Sequence, residues 1–150
     1  MLHIYIDADA CPVKDETYRV AERYGLKVTL VANSWMRYPG GGRVKLVVVE
    51  KGLNEADDWI ADHVEKNDIV ITGDIPLAAR CLDAGARVLG NTGRPFTEAN
   101  IGDALASRHL LKQLREQGLV GGGPSAMTKK DRSQFLQQLD QMLGAIKREI

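Results

Sequence analysis

The residues best suited to chemistry in this chain are aspartates. Asp7 and Asp9 follow the run Leu2-His3-Ile4-Tyr5-Ile6, in which apolar Leu2, Ile4 and Ile6 alternate with His3 and Tyr5, and Pro12 comes three residues after Asp9. An alternating run, then acids, then a proline able to start a helix, reads as a strand that delivers carboxylates to its C-terminal end. Open α/β sheets bind ligands at that end. In an extended strand side chains at i and i+2 share a face about 6–7 Å apart, so Asp7 and Asp9 are expected to face the same way. Two such charges repel by on the order of 1–4 kcal/mol at about 4 Å, unless a proton or a cation offsets them.

Gly73-Asp74-Ile75-Pro76 repeats the arrangement after the short apolar run Ile69 to Thr72. Between the two motifs, Glu55, Asp57 and Asp58 open a helical pattern. At about 100° per residue, Ala56, Trp59, Ile60, His63 and Val64 share one arc; Asp57 falls at its edge, while Asp58 and Glu55 lie about 200° and 260° from Ala56. Asp57 is therefore favoured as a site residue over its neighbours, although acids also suit a helix N-terminus and Asp74 suits an N-cap. Adjacent parallel strands would bring Asp7, Asp9 and Asp74 to one edge. Hard carboxylate oxygens suit Mg²⁺ or Mn²⁺, with phosphate and water completing the shell. Such a cation polarises a phosphoryl oxygen and lowers the pKa of water, so phosphodiester hydrolysis is the chemistry expected of this constellation.

The elements that must position these acids alternate. A helix is predicted from Pro12 to a stop at Gly25, a strand over Lys27–Ala32 and a β-prone run over Val44–Val49, reached through the helix-free loop 33–43. The third strand's direction is left open, because such a loop serves either an antiparallel pair or an irregular parallel crossing. Asn54 is a plausible N-cap for a helix over about Glu55–Val64, and a strand over Ile69–Thr72 precedes a helix closing at Gly85. Arg87–Leu89 is a fifth strand, the stretch from Gly90 to Asn100 is turn-rich, and Asn100 with Asp103 has capping spacing before a helix that ends at Gly118. After the glycine-rich break 120–125, Thr128 and Asp131 repeat that spacing before an amphipathic helix with Phe135, Leu136, Leu139, Leu143 and Ile146 on one side. This order implies a three-layer α/β fold, Rossmann-like, with a mostly parallel central sheet flanked by helices.

At 150 residues the chain suits one domain over 1–150, with a C-terminal helical extension from about 124. The 20 basic and 20 acidic residues cancel, so no global basic field announces a nucleic-acid partner and any attraction must be local. Two cysteines, Cys11 and Cys81, form neither a Cys-x-x-Cys pair nor a disulfide framework, which fits a reduced, cytoplasmic setting. No stretch has transmembrane length and no secretory leader is visible, so a soluble, unprocessed protein away from the membrane is expected.

Together, Asp7-Ala8-Asp9-Ala10-Cys11-Pro12-Val13-Lys14, Val31-Ala32-Asn33-Ser34, Ala56-Asp57-Asp58-Trp59-Ile60, Thr72-Gly73-Asp74-Ile75-Pro76-Leu77-Ala78, Asn100-Ile101, and Gly122-Gly123-Pro124 followed by Lys130-Asp131-Arg132 and Phe135 resemble the YaiI/YqxD family of small bacterial proteins. The likeness spans nearly the whole chain. It implies a PIN-like fold related to metal-dependent nucleases, with Asp7, Asp57 and Asp74 as ligands of Mg²⁺ or Mn²⁺ and Asp9 as a further catalytic candidate. RNA or another nucleic acid is the partner implied, and a homodimer is compatible with it. Asn54 departs from the pattern, standing where the family leads one to expect aspartate.

Asn33 and Ser34 end the second strand beside the proposed site and are candidate substrate contacts, as are Lys130 and Arg132 in the dense basic run Lys129-Lys130-Asp131-Arg132. Lys14 and Arg94 are further cations near strand ends. Trp35, Arg37 and Tyr38 could stack bases of a single strand, or Trp35 could close the core. Cys11 near a helix start could be an activated thiol, but no Cys-x5-Arg loop follows, and a small buried residue is preferred. His3, His63 and His109 lack ligand spacing and read as packing or surface residues. Two competing functions remain. One is a haloacid-dehalogenase-like phosphatase with Asp7 as nucleophile, Asp9 as acid/base and Ser34 after strand two, against which position 78 is alanine. The other is a non-catalytic RNA-binding module.

Overall fold

The computed structural model describes residues 2–52, 54–119 and 126–149. The elements are β1 (His3–Asp7), a 3₁₀ turn at Ala8–Ala10, α1 (Lys14–Tyr24), β2 (Lys27–Ala32), β3 (Val44–Val48), α2 (Glu55–His63) and β4 (Ile69–Ile71). They continue with α3 (Ile75–Asp83), β5 (Arg87–Leu89), β6 (Pro95–Phe96), α4 (Ile101–Glu116) and α5 (Lys129–Glu149). The six strands lie in the order β3-β2-β1-β4-β5-β6, all parallel to their neighbours except β6, which runs antiparallel to β5. This is a three-layer, PIN-like α/β architecture.

Period-two alternation decides which helices cover which face. Ile4, Ile6, Val28, Leu30, Ile69, Ile71 and Leu89 point into one core with Val20 and Ala21 of α1 and with Phe135, Leu139, Leu143 and Ile146 of α5. Val31, Val70 and Val88 point the opposite way, into a second core with Ala56 and Ile60 of α2 and Leu77, Ala78 and Cys81 of α3. Of the five α5 residues expected on one side of the last helix, Phe135, Leu139, Leu143 and Ile146 are fully buried and Leu136 is partly buried against the same core. That helix is therefore part of the main core, filling the sheet face beside α1. An ion pair reinforces the contact: Arg132 donates to Glu16 at 3.1 Å and to the Pro12 carbonyl at 2.7 Å.

The strand left undecided is settled as parallel: Val28–Ala32 of β2 pair with Val44–Val48 of β3 in register, and the crossing is the irregular loop 33–43. The turn-rich stretch after β5 contains the short antiparallel strand β6, whose two residues, one a proline, carry no periodicity to read. Thr128 and Asp131 form the reciprocal cap expected of their spacing, with bonds of 3.0 and 3.1 Å. Asn100 does not cap α4; its amide oxygen accepts from the Thr97 backbone at 2.8 Å and its amide nitrogen donates to the Pro95 carbonyl, closing the turn ahead of the helix. Asn54 occupies the N-cap position of α2 without a side-chain bond. The glycine-rich break expected at 120–125 lies outside the described residues.

Gly93 fixes how α5 meets the sheet. Its φ of 86° is left-handed, and a Cβ there would stand 2.8 Å from the backbone of Gln134. Both conditions favour glycine, since other residues resist that conformation and the obstacle is main chain. Gly93→Ala should lower stability by about 2–4 kcal/mol, combining backbone strain with displacement of α5, and chemical denaturation of the variant beside the parent checks this.

Candidate active site

The strand order reverses between β1 and β4, the place where open α/β sheets form their ligand crevice. Asp7 is the last residue of β1, and Asp74 stands at the N-cap of α3 just beyond β4. One cavity of about 200 Å³ at this edge is lined by Asp7, Asp9, Asp57 and Asp74, together with Asn33, Gly52, Asn54, Glu55 and Ala56. All four predicted catalytic acids are thus brought together, though not all by the expected route. The chain leaves the strand at Asp7 and enters the 3₁₀ turn, so Asp9 does not share a strand face with Asp7; it reaches the cavity from the turn, held by a 2.9 Å bond from the Asn33 backbone amide to its Oδ2.

Each of three acids is fixed through one oxygen. Thr72, fully buried, donates its hydroxyl to Asp7 Oδ2 at 2.9 Å and accepts at 2.9 Å from the backbone amide of Asp74. Asp74 Oδ1 in turn caps α3 by accepting from the Leu77 amide. Asp74 is therefore an N-cap as well as a cavity residue. Among the described residues, Oδ1 of Asp7, Oδ1 of Asp9 and Oδ2 of Asp74 have no protein partner. The amide oxygen of Asn33 is buried and likewise unpartnered among them.

Crowding shows in the proton affinities. Burial raises the Asp7 carboxyl above the ordinary aspartate range, the Thr72 hydroxyl opposes this, and the Asp74 and Asp9 charges add to it. Burial raises Asp57 to about 6, assisted by the charges of Asp74 and Asp7. Asp58 faces elsewhere and pairs with Arg80 at 2.7 Å. Glu55, which the helical arc set apart, lines the cavity, because the first residue of α2 borders the loop that forms the cavity wall. A periodic projection of the helix says nothing about that loop.

The donors are uniformly hard oxygens, as Mg²⁺ or Mn²⁺ requires, and the unpartnered oxygens give a cation something to bind. Among the described residues, no group of three or more His, Cys, Asp or Glu side chains encloses a metal position. The arrangement therefore fits a cation held by one or two carboxylates with water and substrate oxygens around it, the usual habit of Mg²⁺.

The other predicted contacts lie apart from the cavity lining. Ser34 is exposed beyond the end of β2 and Lys130 is exposed on α5. Arg132 is bound to Glu16 and Pro12, and Lys14 donates to the Cys11 carbonyl at 2.8 Å. Trp35 is 71 % exposed and so does not close the core. Cys11 and Cys81 are free and buried, and burial pushes the Cys11 thiol up to about 11, an inert rather than an activated state. His63 stacks on Trp59 with ring centroids 3.7 Å apart, and the His3 ring meets the Thr29 hydroxyl. No helix among the described residues is long and apolar enough to cross a membrane.

Fold and cavity together define a PIN-like α/β protein with a carboxylate-lined edge at its topological switch point. The model described as "Uncharacterized BCR, YaiI/YqxD family" matches residues 5–145. The chain belongs to this family. It is 56% identical over 152 residues to a UPF0178 protein of Rhodospirillum centenum, covering 99% of both chains. It is 57% identical over 148 residues to a UPF0178 protein of Parvibaculum lavamentivorans, covering 99% of this chain and 97% of the relative. No solved structure matches it.

Two outcomes follow from the carboxylate geometry. Asp57 loses its proton near pH 4 in the unfolded chain but near 6 when folded. Between these values the folded state holds more protons, so stability falls as pH rises through the interval and stays lower above it. Asp57→Asn should therefore add on the order of 1 kcal/mol near pH 7.5, allowing for partial exposure, and nothing below about pH 4, as read by urea denaturation across pH. Thr72→Val removes the donor to Asp7 and the acceptor for the Asp74 amide in a buried place, and should cost about 1–3 kcal/mol; Thr72→Ser should recover most of that loss.

Proposed function

We propose that this protein is a metal-dependent phosphodiesterase, a nuclease of PIN-like type that acts on RNA. The observation that carries this reading is the one cavity into which the ends of β1 and β4 and the first turn of α2 bring Asp7, Asp9, Asp57 and Asp74. A concentration of like charge at a ligand-binding edge costs stability, and such a cost is typical of functional sites. RNA is chosen over DNA by analogy with PIN-like nucleases.

Asp7, Asp57 and Asp74 would hold Mg²⁺ or Mn²⁺, through no more than two of them at once, with water and phosphate oxygens as the other ligands. When bound, the cation supplies charge stabilisation at the phosphoryl oxygens and makes water more acidic. The chain's own groups do the rest. Thr72 holds Asp7 and the Asp74 backbone in fixed relation, so neither carboxylate has to be ordered when substrate arrives. Asp57, where it is not itself a ligand, is the carboxylate that would accept a proton from an attacking water. Asp9, anchored by Asn33, leaves Oδ1 free to orient water or the leaving oxygen.

Cleavage of end-labelled RNA and DNA in Mn²⁺ or Mg²⁺, with a chelator control, tests the reading. RNA fragments should appear only with the metal, and Asp7→Asn or Asp74→Asn should slow their release at least about 100-fold; asparagine keeps the α3 cap that Asp74 provides. Release of inorganic phosphate from small monoesters through an acid-stable aspartyl phosphate would instead establish the phosphatase. Absence of any turnover, with oligonucleotide still bound, would leave a binding module.

A further inference from the structure

Beside the acid cavity lies a second and larger cleft, of about 520 Å³, whose wall begins at Gly73 and Ile75, the two residues flanking Asp74. Its other lining residues include Arg94 from the turn after β5 and Arg108 and Arg115 from α4. Among the described residues none of these three guanidiniums takes part in an ion pair. Asp103 and Ser107 also line the cleft. Arg108 and Arg115 are seven residues apart on one helix, two turns and about 10 Å along its axis. Unpaired arginines so spaced do not converge on one small anion; they suit a row of phosphates, which a guanidinium contacts without reading sequence.

The opposite flank of the acids carries a different kind of group. In the order β2-β1-β4-β5, the C-terminal edge presents first the segment after β2, with Asn33 and the exposed Trp35, then Asp7 and Asp9, then Asp74, and finally Arg94. At about 4.8 Å between strands, this edge is about 14 Å across from β2 to β5. An exposed indole offers a face on which an unstacked base can lie, and a duplex has no such base to give.

From this order we infer that the C-terminal edge of the sheet is a track for a single-stranded polynucleotide, with backbone phosphates on Arg94, Arg108 and Arg115, a base on Trp35, and the scissile phosphate over the acids between them. The inference rests on the proposed nuclease site for what happens at the acids, but binding to the track is independent of turnover. It assigns phosphate contact to α4 and the β5–β6 turn, whereas Lys129 and Lys130 of α5 line neither the acid cavity nor the arginine cleft.

The test is fluorescence anisotropy with a labelled single strand of about twelve nucleotides, as RNA and as DNA, and with the corresponding duplex, in chelator and over a range of salt. Arg108→Gln/Arg115→Gln should weaken single-strand binding at least tenfold and reduce the salt slope by about 0.7 for each arginine. Trp35→Ala should weaken it about tenfold, and Lys129→Gln/Lys130→Gln should change it less than twofold. The duplex should bind at least tenfold more weakly than either strand, and RNA against DNA identifies the natural polymer. All these positions are exposed, and circular dichroism of each variant checks that it folds. No binding by the parent, equal binding by the arginine variant, or a loss in the lysine variant as large as in the arginine variant would each overturn the track. Asp74→Asn separates the two readings. If it and the parent bind alike and neither cleaves with metal, the track stands and the nuclease fails; if the parent cleaves and the arginine variant cleaves and binds as well, the nuclease stands and the track fails.

Discussion

The structure depends on the parallel pairing of β1 with a strand on each side. Ile4 and Ile6 register against Val28 and Leu30 of β2 and against Ile69 and Ile71 of β4. Every one of these side chains is fully buried. A slip of one residue in either pairing would turn the apolar set of that strand toward the wrong core. The same register fixes Asp7 beside Thr72 and therefore beside Asp74. The apolar contacts that stabilise the sheet are what hold three or four carboxylates in a place where, by charge alone, they would separate.

That opposition gives the edge its chemical character. Burial and like charge raise the proton affinity of Asp7 and Asp57, while the Thr72 hydroxyl and the backbone amides of Asn33 and Leu77 each satisfy one carboxylate oxygen on Asp7, Asp9 and Asp74. The acids are thus oriented but not neutralised. Relief comes from a proton or from a cation, and a divalent ion relieves more than one carboxylate at once. On the far side of Asp74, arginines without an ion-pair partner among the described residues provide the opposite field, the one that the proposed track would offer to a polyanion.

Much of this was readable from residue order. Alternation in Leu2–Ile6 and the apolar run at Ile69 identified two central strands, and the acid-then-proline punctuation located their C-terminal ends. The heptad-like stripe of Phe135, Leu139, Leu143 and Ile146 marked the buried side of the last helix. The direction of β3 was not readable, since loop 33–43 has no element of its own and parallel pairing there depends on burial against β2 rather than on local pattern. Nor was β6, two residues long. Within the site, Asp57 could be picked from its helical angle, whereas Thr72 and Glu55 could not. The role of Thr72 exists only because β1 and β4 are neighbours, and that of Glu55 only because a loop folds beside it. The arginines of α4 are seven residues apart and form no run in the sequence; only the fold makes them one surface.

The most direct measurement is Mn²⁺ binding by isothermal titration calorimetry to the parent chain, Asp7→Asn and Asp74→Asn, each verified as folded. The account predicts a saturable site in the parent, strengthened by a non-cleavable oligonucleotide and lost in both variants. A parent that binds no Mn²⁺ even with the oligonucleotide present, or variants that bind it as the parent does, would contradict the claim that these carboxylates form a metal centre.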